Sequence, residues 1–205
     1  MSLDRDKDIR KKLKKIFPVG VMKFEVKDNW DGWDDVREML INPGPMETEP
    51  TILEGPGKTS LLEEWQSRCY LLNEFQELSD LARSCVNQYV WLHQMDELQL
   101  WDSWYTVMHK GSKIQRHRHE CSVVSGTICL SEGEHMLAFT NPTIPYRMYE
   151  RPYHSNELNS YVHVETMTKG DILVYPSWLE HFVPQIDTDN RVTISFNTDY
   201  PRQLR

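Results

Sequence analysis

The sequence predicts a mainly β fold with flanking α elements: a double-stranded β-helix, or jelly roll, with N-terminal helices packed on its sheet. Three observations predict it. After Met95, eight short segments carry the β-branched and aromatic content of strands. Turn signals such as "SEGE", "TKGD" and "DTDN" separate most of them. Before them lies one long segment of helical periodicity. Eight strands shared between two packed sheets are what a jelly roll requires. A chain of 205 residues suits one domain. The expected organisation is a basic leader over 1–16 and a single double-stranded β-helix domain over 17–205, with its strand core at about 98–200.

The elements follow in order. "RDKDIRKKLKK", Arg5 to Lys15, carries seven basic residues against two acidic ones and reads as a solvated leader helix. "FPVGVMKFEV", Phe17 to Val26, reads as a first strand and "WDDVREMLI", Trp33 to Ile41, as a short helix. "NPGPMETEPTILEGPGKTS", Asn42 to Ser60, has the proline and glycine content of a long loop, of the kind that covers a site. Asn73 to Met95 is the clearest helix. Phe75, Leu78, Ala82, Cys85, Tyr89 and Leu92 recur on one face, and Asn73 is the expected N-cap. The strand candidates are "LQLWDSWYTVMH", "KIQRHRH", "SVVSGTICL", "HMLAFT", "SYVHVETMT", "DILVYP", "EHFVPQI" and "RVTISFNTDY". The stretch from Asn141 to Asn156, with three prolines, reads as a surface loop.

Composition narrows the function classes. The net charge of −8 argues against broad nucleic-acid or anionic-membrane binding. No apolar run approaches the roughly 20 residues of a membrane helix. The N-terminus has no apolar run that would serve as a secretory signal, so a cytoplasmic, intracellular protein is expected. Cys69, Cys85, Cys121 and Cys129 form no CxxC pair and are expected to stay reduced. A homodimer is left open.

The chemistry concentrates in histidine. His93, His135, His154 and His163 read as structural or surface residues, and His109 as a residue at the edge of a site. His117 and His119 differ by their spacing. On a strand, positions i and i+2 share a face, so the two imidazoles can reach one metal ion. "YPSWLEHFVP" supplies His181 as a third ligand. Three protein ligands with open positions follow the logic of a facial triad for non-haem Fe(II). Glu120 is the rival carboxylate, which would trade places with His119 if a bulge intervened. Arg191 lies ten residues past His181, beyond the "DTDN" turn. A return strand would bring it back beside the metal. There its planar fork suits a carboxylate, with the Thr193 hydroxyl sharing it from the same face. Trp101, Trp104, Tyr105 and Trp178 are candidates for the pocket lining.

Taken in order, "HRH", "VVSGTICL", "YPSWLEHFVP" and "RVTISFN" resemble the 2-oxoglutarate- and Fe(II)-dependent oxygenases. In more detail they resemble the oxygenase family with HxH, then Ser-Gly, then Pro-Ser…His, then Arg-x-Ser/Thr…Ser-Phe-Asn. The resemblance covers Leu98 to Tyr200, with "FPVGVMKF" a weaker echo. It implies that His117, His119 and His181 bind iron, that Arg191 and Thr193 hold the distal carboxylate of 2-oxoglutarate, and that Asn197 belongs to the cosubstrate site as a support residue. It implies Fe(II), 2-oxoglutarate and O2 as cofactor and cosubstrates, ascorbate as reductant, and 2-oxoglutarate decarboxylation coupled to substrate oxidation. The primary substrate is not implied. One departure stands out: "NPT", Asn141 to Thr143, replaces an acidic-Pro-Arg element. The alternatives are a cupin-like isomerase or dioxygenase without 2-oxoglutarate, and a non-catalytic binding module. Gly111, Gly170 and Pro176 keep the cupin spacing, but Val123 or Val124 stands at the cupin glutamate, Trp178 at its second-motif glycine and Gln185 at its asparagine.

Overall fold

The computed structural model describes residues 18–42, 52–60, 70–147, 154, 156 and 159–201. The basic leader and Cys69 lie outside them. In chain order the elements are β1 (Met22–Glu25), α1 (Trp33–Ile41), β2 (Leu53–Glu54), β3 (Gly57–Thr59), α2 (Gln76–Leu92), β4 (Gln99–Met108), β5 (Lys113–His117), β6 (Val124–Cys129), β7 (His135–Thr140), β8 (Val162–Met167), β9 (Asp171–Pro176), β10 (His181–Val183) and β11 (Arg191–Asp199). Short 3₁₀ turns cover Lys27–Asn29, Leu71–Glu74 and Ile144–Tyr146. From β4 to β11 successive strands alternate between two antiparallel sheets, except that β7 and β8 pair within one of them. One runs β1-β9-β6-β11-β4-β3 and the other β2-β5-β10-β7-β8. That alternation is the winding of a jelly roll.

The six-stranded sheet is covered on both faces, and the strand period of two sorts its residues. Tyr105, Val107, Ile128, Ile172, Val174, Val192, Ile194 and Phe196 face the helices, where Val36, Leu40, Leu78, Ala82 and Val86 bury them. Met108, Cys129, Leu173 and Tyr175 face the other sheet and pack with Leu137, Phe139, Leu179 and Val183. With both faces covered, β6, β9 and β11 are buried along almost their whole length. Gly126 pairs with Phe196, and a Cβ there would fall inside the Phe196 ring. The bare backbone of β6 is therefore what lets that ring lie across it.

Three expectations change. The segment Asn42–Ser60 is not loop throughout: its end folds into β2 and β3. β2 pairs with β5 of one sheet and β3 with β4 of the other, so the pair straps the two sheets together across one edge. Gly55, with φ of +93°, supplies the left-handed residue between them. Asn73 does not cap α2. It lies in the preceding 3₁₀ turn, and the N-cap is Phe75, which makes no side-chain capping bond. Leu92 leaves the buried stripe and is 58% exposed, because α2 ends there. Cys85, Cys121 and Cys129 are free thiols. Among the described residues no helix is long and apolar enough to cross a membrane.

Candidate functional site

Two strands that neighbour in space bring the first and third histidines together. His117 ends β5, His181 opens β10, and the two are cross-strand partners. Their ring centroids are 4.3 Å apart. His119 is not on the strand, contrary to the expectation of two imidazoles on one strand face. β5 has ended, and His119 sits in the turn that follows. Its backbone N–H donates to Ser177 O at 3.0 Å, and this bends the chain so that its ring closes the triangle. His119 lies 5.3 Å from His117 and 4.9 Å from His181 between centroids. One nitrogen of each ring lies within 4.8 Å of the others.

The hydrogen bonds fix which ring nitrogen is free. His117 Nδ1 is 2.8 Å from Gln115 O, and His181 Nδ1 is 2.9 Å from Leu179 O. A carbonyl oxygen only accepts, so both Nδ1 atoms carry the proton and Nε2 keeps its lone pair. His119 Nδ1 faces Asn197 Oδ1 at 2.6 Å, with the same consequence. Burial holds all three rings neutral. It lowers the His117 value, and with His117 beside it His119 falls to about 4. His181 falls furthest, through burial and its two imidazole neighbours. Neutral imidazoles with aligned tautomers are the form that binds a metal. Glu120 is not part of this set. It is exposed and lies 3.6 Å from Arg118.

Behind the histidines the inner faces of β4, β6, β9 and β11 line a cleft that includes Trp104, Thr127, Tyr175, Arg191, Thr193 and Ser195. Arg191 is 1% exposed. Its Nη1 touches Met108 Sδ at 3.2 Å and its Nε has no partner. Among the described residues no carboxylate forms an ion pair with it. An arginine keeps its proton even where burial lowers its pKa, so a buried cation here lacks its anion. Tyr175 lies between the two ends: its hydroxyl is 3.0 Å from Thr127 Oγ1 and 3.4 Å from His181 Nε2. Three neutral imidazoles and an uncompensated guanidinium in one cleft fit a divalent metal and a dicarboxylate.

The other candidates fall elsewhere. Trp104 lines the cleft and tilts against His119 at 5.4 Å. Tyr105 faces the helix-side core, and Trp178 is half exposed over an outer groove with His93 and Met95. His109 is on the surface beside Asp189. Asn197 lies behind His119 rather than on the cleft wall. Asn141 caps its own loop by accepting from Thr143, and does not reach the cleft. Val123 and Val124, at the position of a cupin glutamate, pack into the helix-side core. Thr127, Tyr175 and Ser125 were not legible as site residues. The alternation of β9 places Tyr175 on the same face as Asp171 and Leu173.

Comparison with known proteins follows the same line. No curated protein matches the sequence. Among solved structures, a Pseudomonas putida prolyl-4-hydroxylase is 14% identical with a TM-score of 0.51, over 89% of this chain and 94% of that one. HygX from Streptomyces hygroscopicus, solved with nickel and 2-oxoglutarate bound, is 12% identical with a TM-score of 0.57, over 90% and 84%. The non-heme alpha ketoglutarate dependent epimerase SnoN from nogalamycin biosynthesis is 12% identical with a TM-score of 0.59, over 88% and 78%. At these identities the likeness is one of fold. The family model described as "Putative 2OG-Fe(II) oxygenase" matches residues 102–197, which run from the first jelly-roll strand through the last histidine support. By that match the jelly-roll core of this chain is similar to the 2-oxoglutarate- and Fe(II)-dependent oxygenases.

Proposed function

We propose that His117, His119 and His181 hold the Fe(II) of this oxygenase, and that Arg191 with Thr193 anchors the distal carboxylate of 2-oxoglutarate. The observation that carries the reading is Arg191, buried in the same cleft as the three imidazoles with its Nε unpartnered. The bound metal with 2-oxoglutarate supplies the oxidising power, drawn from O2, with release of succinate and carbon dioxide. The chain contributes position and environment. Bonds at each Nδ1 leave the three Nε2 atoms free for the metal, and one nitrogen of each ring lies within 4.8 Å of the others. The guanidinium fixes the far end of the dicarboxylate at depth, so the 2-oxo group is presented toward the histidines. Trp104, Leu137 and Val183 keep bulk water from the cleft. Free thiols at Cys85, Cys121 and Cys129 fit a reducing, cytoplasmic setting.

The test is succinate release from 2-oxoglutarate with Fe(II) and ascorbate, run beside calorimetric binding of 2-oxoglutarate to the Mn(II)-loaded protein. Wild type binds and turns over the cosubstrate. Arg191→Ala loses both while retaining Mn(II). Retained 2-oxoglutarate binding in Arg191→Ala would overturn the anchor assignment.

A further inference from the structure

His119 lacks the strand pairing that orients His117 and His181, and its Nδ1 meets side chains rather than a carbonyl. Asn197 Oδ1 is 2.6 Å away and Ser125 Oγ 2.8 Å. Ser125 Oγ lies 2.7 Å from both Asn197 Oδ1 and Ser177 Oγ. Ser177 donates to Ser122 Oγ at 2.9 Å, and Ser122 donates to Thr198 O at 2.9 Å. Ser125 and Ser177 are both fully buried. The direction of this chain is fixed by its end. Thr198 O can only accept, so Ser122 points its proton there and Ser177 points its proton at Ser122. Ser177 Oγ is then left as an acceptor for Ser125. Ser125 has two acceptors for its one proton, Ser177 and Asn197, and so presents a lone pair to the ring. Ser177 also accepts the backbone N–H of His119 at 3.0 Å, tying main chain and side chain to one residue.

We infer that Ser125 and Ser177 are positioning residues for His119. With Asn197 they polarise a hydroxyl chain that keeps the His119 proton on Nδ1 and leaves Nε2 for the metal. The inference rests on the proposal that His119 is a ligand, but its first readout needs no metal. The two acceptors are redundant, which makes the effect non-additive. Asn197→Ala alone keeps Ser125 as acceptor. Adding Ser177→Ala leaves the Ser125 proton with no other acceptor and frees the ring to change tautomer.

The experiment is ¹⁵N-histidine NMR of the metal-free protein, with circular dichroism as the check on folding, followed by Mn(II) titration. Wild type and Asn197→Ala show His119 protonated at Nδ1. The double variant Asn197→Ala/Ser177→Ala shows averaged tautomers at His119 only, and binds Mn(II) about 10–100-fold more weakly. A folded double variant with an unchanged His119 spectrum and unchanged Mn(II) affinity overturns the inference. Should the double variant not fold, Asn197→Ala decides alone: loss of the Nδ1–H tautomer there removes the role given to the serines. Failure of wild type to bind Mn(II) would instead sink the ligand assignment, with the tautomer result standing on its own.

Discussion

Arg191 is the residue on which stability and function pull apart. A buried guanidinium with an unpartnered Nε costs the metal-free fold. Arg191→Met removes that charge, and its thioether can pack against Met108. We expect its urea midpoint to rise, by about 1–3 kcal/mol of stability, while 2-oxoglutarate binding is lost. A fall in stability would mean that the guanidinium has a partner in solution. The histidines set a pH dependence of the opposite kind. Burial lowers His119 from 6.5 to about 4 and moves His117 and His181 in the same direction. A lowered folded value means that the unfolded chain takes up protons first. The stability carried by the neutral rings is therefore complete above about pH 6.5 and is lost as pH falls toward 4. Each ring contributes at most about 1.4 kcal/mol per pH unit in that window. Urea midpoints of the metal-free protein at pH 7.5, 6 and 5 should fall, and His119→Gln should flatten the slope. A wild-type midpoint independent of pH over this range would refute the neutral-imidazole picture.

Strand by strand, the close approach at Gly126 gives the sharpest test. Its partner Phe196 fills the space where a side chain would go, and Phe196 is fully buried under the helices. Gly126→Ala should cost about 1–3 kcal/mol through overpacking, read as a lower urea midpoint with an unchanged m value. It should also weaken Mn(II) binding, since β6 carries Ser125 and β11 carries Asn197, the two acceptors behind His119. The same elements show what the sequence could and could not disclose. "HMLAFT" and "DILVYP" match β7 and β9 residue for residue, because Gly-containing turns bound them sharply. "WDDVREMLI" likewise matches α1. The β2–β3 strap was illegible because strands of two and three residues have no periodicity of their own; they exist only by pairing with both sheets. The convergence of the three histidines and Arg191 on one cleft was legible from spacing. Placing His119 in a turn was not, since nothing local marks where β5 stops pairing. Ser125, Thr127 and Tyr175 were hidden for another reason. Serine, threonine and tyrosine are ordinary strand residues, so the alternation that puts them on the inner faces of β6 and β9 did not by itself mark them as part of a site.

At the scale of the whole molecule, the cleft lies between two sheets that share one inter-sheet core, and the strap clamps their common edge. Ligands there act on the fold as a unit. A metal held by His117 and His181 as proposed would join β5 to β10, and through His119 and Asn197 it would reach β11 of the opposite sheet. A dicarboxylate on Arg191 would discharge the buried cation, removing the largest unfavourable group in the cleft. The two increments should be sequential and separable. Any ligand bound only by the folded state stabilises it by about 2.7 kcal/mol at a hundred times its Kd. We therefore expect Mn(II) alone to raise Tm, and 2-oxoglutarate to raise it again only with Mn(II) present. Arg191→Met should start higher, keep the metal increment and lose the second. His181→Ala should lose both. A second increment that persists in Arg191→Met would place the cosubstrate elsewhere in the cleft. An increment from 2-oxoglutarate without metal would mean that the guanidinium alone suffices to hold it.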